Sequence, residues 1–153
     1  MITYKYKKAV EYLNDQYWHD SILYEIRIIR RDSLDQAILI LKLLTDADGW
    51  ESRNTIMQFN DCYYVETKMH GGVNALSDGE MISEASTNLS SKFIDQVNKV
   101  WGNAKIKLPE LFHISMILSS TGSAIDIVSK SVTVDMESIV EKHSAPPPMY
   151  PTR

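Results

Sequence analysis

Apolar residues recur every three or four positions at the start of this chain and every second position soon afterwards. Tyr6, Ala9, Val10, Leu13 and Tyr17 fall on one helical stripe, with Lys5, Lys7, Lys8 and Glu11 on the other side. This spacing predicts a helix over about 4–16, with Thr3 as its N-cap. From Ile22 to Arg31 the period becomes two: Ile22, Tyr24, Ile26 and Ile28 share one face, while Glu25, Arg27 and Arg31 share the other with Leu23 and Ile29. After a polar turn at 31–35, Ala37–Leu44 is almost continuously apolar, as in a central strand covered on both faces. Asp46-Ala47-Asp48-Gly49 is a turn, and Asn54–Met69 fits a long strand, or a bent pair broken near Asn60-Asp61, ending at His70-Gly71-Gly72.

Ser77-Asp78-Gly79-Glu80 has the form of a capping box. Ile82, Ala85, Leu89, Phe93, Val97, Val100 and Trp101 then follow at helical spacing up to Gly102, with poor helix formers predicting a break near 88–91. Strands are predicted at Phe112–Ser119 and Ala124–Val134, joined by a hairpin through 120–123. The sum is an α+β fold: an antiparallel sheet of five or six strands, with an N-terminal helix and one or two helices between strands packed against it. One domain is expected over 1–142, followed by a flexible proline-rich tail over 143–153.

The net charge of −4 is unevenly spread. Residues 46–84 hold Arg53 and Lys68 against Asp46, Asp48, Glu51, Asp61, Glu66, Asp78, Glu80 and Glu84, so 2 − 8 = −6 falls in this one segment. A field of that sign repels nucleic-acid phosphates and attracts a basic partner. Trp50 sits inside it, next to Glu51, where an indole among carboxylates suits contact with a basic protein surface. A Trp folded back over the end of the sheet accounts for it equally well. Trp18 and Trp101 end apolar stripes and are expected in the core.

Readings in terms of catalysis or metal binding find little support. His19, His70, His113 and His143 lack the spacing of metal ligands, no phosphate-cradling glycine loop occurs, and no catalytic or cofactor-binding residue is assigned. His19 and Asp20, adjacent on a strand, are expected to point apart and to join elements by hydrogen bonds. The lone Cys62 is expected to be a buried thiol, which fits a reducing compartment. No apolar run is long enough for a membrane helix, so the cytoplasm is expected.

Tyr17-Trp18-His19-Asp20-Ser21, the alternating strand to Arg30, the apolar strand, Trp50 and Ile56-x-x-Phe59-x-Asp61-Cys62-Tyr63 together resemble bacterial immunity proteins, the antitoxins encoded beside polymorphic or contact-dependent growth-inhibition toxins. The likeness continues through Met69-x-Gly71-Gly72, Ile82-x-x-Ala85 and the closing hairpin, covering roughly 17–135. It implies a non-enzymatic inhibitor of a toxin's C-terminal domain, with no cofactor, no nucleic-acid ligand and no membrane partner. The expected toxin-binding residues are Asp46, Asp48, Trp50, Glu51, Asp61, Glu66, Asp78 and Glu80, facing a basic, nuclease-type domain. Two rivals are a homo-oligomeric adaptor that uses an exposed strand edge, and a small-molecule or hydrolytic domain with an acid cluster in a cleft.

Overall fold

The computed structural model describes residues 1–45, 51–70, 79–119 and 121–137, and the backbone of 141–142. The elements are β1 (Ile2–Lys5), α1 (Tyr6–Asn14), β2 (Tyr17–Ile29), β3 (Asp35–Leu44), β4 (Glu51–Lys68), β5 (Glu80–Asn88), α2 (Lys92–Asn103), β6 (Phe112–Leu118), β7 (Ala124–Met136) and β8 (Glu141–Lys142). Every ladder is antiparallel, and β4 pairs with β7 as well as with β3. The order β2-β3-β4-β7-β6-β5 therefore returns to β2 and closes a six-stranded barrel. β1 runs beside the second half of β7, and β8 pairs with Glu51 and Ser52. This corrects the expectation of an open α+β sheet with helices packed against it. The protein is mostly β, with its main core inside the barrel.

Alternation places that core. Leu39, Leu41 and Leu43 of β3, Met57 and Phe59 of β4 and Ile125 and Ile127 of β7 are buried on the inner face, while Ile38, Ile40 and Ile56 between them point outward. β3 is thus covered on one face only, which corrects the reading of its apolar run. α1 starts later than expected, at Tyr6, and Lys5 rather than Thr3 is its N-cap, with no side-chain cap bond. The helix lies across the end of the barrel where β2 begins and β5 ends. Asn14 donates to Thr87 O at 2.8 Å and accepts from Thr87 N at 2.9 Å. Ala9 and Leu13 are buried in the same cluster as the inner strand residues.

The largest local correction is at 80–88, where a strand replaces the first half of the expected helix. Ile82 pairs with Leu118 and Ala85 with Met116, so a step of three on β5 matches a step of two on β6. The register shift between Ile82 and Glu84 is a β-bulge, and it gives a strand the i, i+3 spacing that reads as helical. The helix begins at Lys92, where Ser91 Oγ accepts from Ile94 N at 3.2 Å, so Ser91 is the N-cap. Ser77 and Asp78 of the expected capping box lie outside the described residues, as do the Asp46–Trp50 turn, Gly71, Gly72, Ser120 and the 143–153 tail.

A second bulge divides β2. Its pairing with β3 shifts between Leu23 and Glu25, so Leu23 is buried and Tyr24 is exposed. Glu25 and Arg27 face outward, opposite Ile40 and Ile38. The expected single face of Ile22, Tyr24, Ile26 and Ile28 is therefore broken at Tyr24. The barrel is thinnest here, because β2 pairs with β5 only through Ile22↔Met81 and Leu23↔Glu80. Gly79 is needed at this approach, since a Cβ on it would stand 2.6 Å from Ile22 Cγ2 and 2.9 Å from Tyr24 Cδ1.

Candidate functional site

Residues 17–21 stitch the N-terminal elements together. The Trp18 indole N–H donates to Leu13 O at 2.6 Å, satisfying a carbonyl at the end of α1. His19 Nδ1 donates to Ser83 O at 2.9 Å across the seam. Asp20 has φ of 70°. That turn interrupts the strand's alternation, so His19 Nε2 comes within 3.6 Å of the Asp20 carboxylate, contrary to the expectation that the two point apart. Ser21, fully buried, donates to Tyr17 O at 2.6 Å and accepts from Leu44 N at 3.0 Å, filling the gap in the β2–β3 ladder. The bonds from Trp18 to Leu13, from His19 to Ser83 and from Leu44 to Ser21 join elements, whereas Ser21 to Tyr17 and His19 to Asp20 stay within β2.

The described members of the expected toxin-binding set are spread along the barrel. Asp46, Asp48, Trp50 and Asp78 lie outside the described residues. Glu51 begins β4, and Glu66 stands near its other end, 66 − 51 = 15 residues on, a span of up to roughly 50 Å at about 3.3 Å per residue. Asp61, between them, is exposed at a bulge against β3, with φ of 52°. Glu80 clasps the β6–β7 turn, accepting from Thr121 N at 2.9 Å and from Thr121 Oγ1 at 2.7 Å. The described carboxylates therefore form no single patch.

Glu66 belongs to a second cluster, on the outer surface beneath α2. Ile94 and Val97 of α2 pack there on Leu111 and Val128, and Trp101 meets Tyr63 edge-on at 5.1 Å, partly buried in this outer cluster rather than in the barrel core. At the N-terminal end of the helix, Phe93 lies 4.8 Å from the His113 ring and 5.3 Å from Tyr64. His113 Nε2 meets Asp126 Oδ1 at 2.8 Å, both side chains being largely buried, and Asp126 stands opposite Glu66 across the β4–β7 ladder. Glu66 accepts from the Tyr64 hydroxyl and pairs with Lys68 at 3.3 Å. Those two partners, Tyr64 first, hold its carboxyl below the usual range. The same bond, with burial, pushes the Tyr64 phenol up to about 12. The His113–Asp126 pair has the makings of an acid–base couple, but Phe93 and α2 cover it, and its evident work is to tie β6 to β7. Among the described residues no group of three His, Cys, Asp or Glu is placed to hold a metal ion. The pair was within reach of the sequence: a turn at 119–123 sets Ser115 opposite Asp126 and His113 one step away on the same face.

Cys62 is buried, as expected. Its Sγ–H points to Phe59 O at 3.4 Å, and burial pushes the thiol up to about 11. At pH 8 only about one thiol in a thousand is then ionised, and thiolate is the reactive form. Native protein should resist a thiol reagent over a time in which urea-unfolded protein reacts completely. Comparable rates in the two states would show Cys62 to be accessible.

The surface left uncovered by both helices is the outer face of β2, β3 and the first part of β4. Ile40 lies between Glu25 and Ile56, Ile38 between Arg27 and Gln58, and Ile56 faces Asp135 of β7. Ile56 is 44% exposed. Asn60 fixes a polar margin beside these residues: its Oδ1 accepts from Gln36 and Gln58, and its Nδ2 donates to Ser131 and Thr133. This is an apolar centre with an ordered polar and charged border. Periodicity could not reveal it, because the apolar run of β3 reads as buried on both faces.

No protein-family model and no characterised protein matches this chain. No helix of the described residues is long and apolar enough to cross a membrane.

Proposed function

We propose that this chain is a non-enzymatic binding protein that neutralises a protein partner, acting as an immunity protein toward a toxin domain in the cytoplasm. The observation that carries the proposal is the face of Ile40 and Ile56 that neither helix covers, with Ile56 exposed and Ile40 half-buried. Apolar residues ringed by polar groups are the usual anatomy of a protein-binding surface. Its border is already held by the Asn60 bonds, so little ordering is required on binding. Of the residues that carry the family likeness, Trp18, Ser21, Phe59, Cys62 and Ile82 are buried, as a scaffold role requires, whereas Tyr17, His19, Asp20, Ile56 and Asp61 are exposed. Recognition then falls to exposed positions such as Ile56, with Glu51 at the start of the same strand and Asp46 and Asp48 preceding it in sequence. Acidic groups beside an apolar centre favour a basic partner and speed its approach.

Calorimetric titration against the toxin-type C-terminal domain encoded immediately upstream tests this reading. Tight one-to-one binding that weakens with salt is expected. Ile56→Asp should weaken it at least tenfold, and charge reversal at Asp46, Asp48 and Glu51 should weaken it and flatten its salt dependence. Absence of binding to the folded domain would refute the function. Binding unaffected by Ile56→Asp would keep the function and remove this face from it.

A further inference from the structure

α2 ends in a compact cap. Ala104 is the C-cap, the Lys105 N–H donates to Gly102 O at 2.9 Å, and the Ile106 N–H donates to Trp101 O at 3.2 Å. These two bonds define a Schellman motif, in which the residue after the cap takes the left-handed conformation. Lys105 does so, with φ of 56°, at a position that glycine usually fills. The motif sets Ile106 beside Trp101 and Val100, one turn back along the helix. Val100 is 60% exposed and Ile106 49%, while Trp101 is held edge-on against Tyr63. Apart from Met1, Val100 is the most exposed large apolar residue among those described.

Single exposed apolar residues are commonplace on protein surfaces, but this pair is bracketed by charge. Residues 99–107 hold Lys99, Lys105 and Lys107 and no acid, so 3 − 0 = +3 falls in this short segment of a chain whose net charge is −4. All three lysines are exposed, and among the described residues none of them is in an ion pair. Cations near a helix C-terminus complement its dipole, which accounts for lysines there but not for the apolar pair between them.

We propose that this end of α2 docks on a bilayer surface bearing anionic phospholipids. Val100 and Ile106 enter the boundary between headgroups and acyl chains, and the lysines reach the phosphates around them. The residue types decide between this occupant and others. Protein interfaces are usually depleted of lysine and enriched in arginine and aromatic residues, whereas this segment has three lysines and no arginine. Single-stranded nucleic acid is gripped by exposed aromatic faces as well as by cations. Here the exposed apolar groups are aliphatic, and Trp101 is turned onto Tyr63. Three cations and two apolar side chains give a weak, reversible association governed by lipid charge. These residues lie outside the face of Ile40 and Ile56, so vesicle binding and toxin binding stand or fall separately.

Flotation of the full chain with vesicles tests it. Binding is expected to vesicles of phosphatidylglycerol and phosphatidylcholine in equal parts, and not to phosphatidylcholine alone, and it should weaken as salt is added. Lys99→Gln and Lys107→Gln should each lower the partition coefficient about fivefold. So should Lys105→Gly, which relieves the left-handed strain and therefore should fold at least as well as the wild type. Val100→Ser combined with Ile106→Ser should lower it about tenfold with the lysines intact. Both side chains are exposed, so this variant should fold too, and melting temperatures check each variant. No binding to the anionic vesicles overturns the proposal. So does equal binding to both kinds of vesicle, or binding that ignores the lysine or the apolar substitutions. Lysine-dependent binding to a DNA oligonucleotide without binding to vesicles would also overturn it and assign the patch to nucleic acid.

Discussion

Replacing Phe59 by alanine is expected to cost about 3–5 kcal/mol of folding stability. The side chain is fully buried on the inner face of β4, between Ala37 on β3 and Val132 on β7, with its ring 6.3 Å from that of Phe112. Two effects add. The apolar surface loses its burial, and a cavity remains because ladders on both sides hold the surrounding backbone in place. Against the roughly 5–15 kcal/mol that usually separates folded from unfolded protein, this is a large fraction. Urea unfolding should show a lower midpoint with an unchanged slope, the mark of a stability change without a change in the surface exposed. A loss below about 1 kcal/mol would mean that the interior can refill the space, and that it is not packed as tightly as its burial indicates.

Trp18→Ala should have an effect of similar size, about 3–5 kcal/mol, for a partly different reason. The indole is 5% exposed and packs in the main core, and its N–H satisfies the Leu13 carbonyl at the end of α1. Alanine removes both the packing and the bond, and it loosens the helix that covers one end of the barrel. Trp18→Phe separates the two contributions. It keeps most of the packing and drops one of the two donors to that carbonyl, which still accepts from Gln16 N at 3.4 Å, so about 1 kcal/mol is expected, the net worth of one hydrogen bond. Equal losses for the two variants would place the whole effect in the hydrogen bond, and no loss for phenylalanine would place it in packing.

Much of the β structure was legible because it rests on alternation. β3, β6 and β7 begin within two residues of their expected starts, and of the two forms expected for Asn54–Met69 the structure has the long strand, with a bulge against β3 at Asn60-Asp61 in place of a break. Strand and helix were confused at Ile82 and Ala85, where a bulge converts a period of two into a step of three. Closure of the barrel was not legible at all. It depends on β4 meeting β7, as in Thr55↔Met136, and no local pattern records a contact so distant in sequence. The candidate site suffered from the same limit. Charge counting along the chain joined Glu51, Glu66 and Glu80 into one segment, while a long strand carries the first two far apart and a turn claims the third. The face around Ile56 emerges only once it is clear which side of β3 the helices leave bare.

The barrel is built from two meanders, β2-β3-β4 and β5-β6-β7, each made of chain neighbours and joined to the other by the long β4–β7 ladder and the two-pair seam. This division has a consequence for how the molecule forms. Each meander can organise from nearby contacts, whereas joining them requires closing loops of more than fifty residues, an entropic cost met before the distant contacts repay it. Closure is therefore expected to be the slow event in folding.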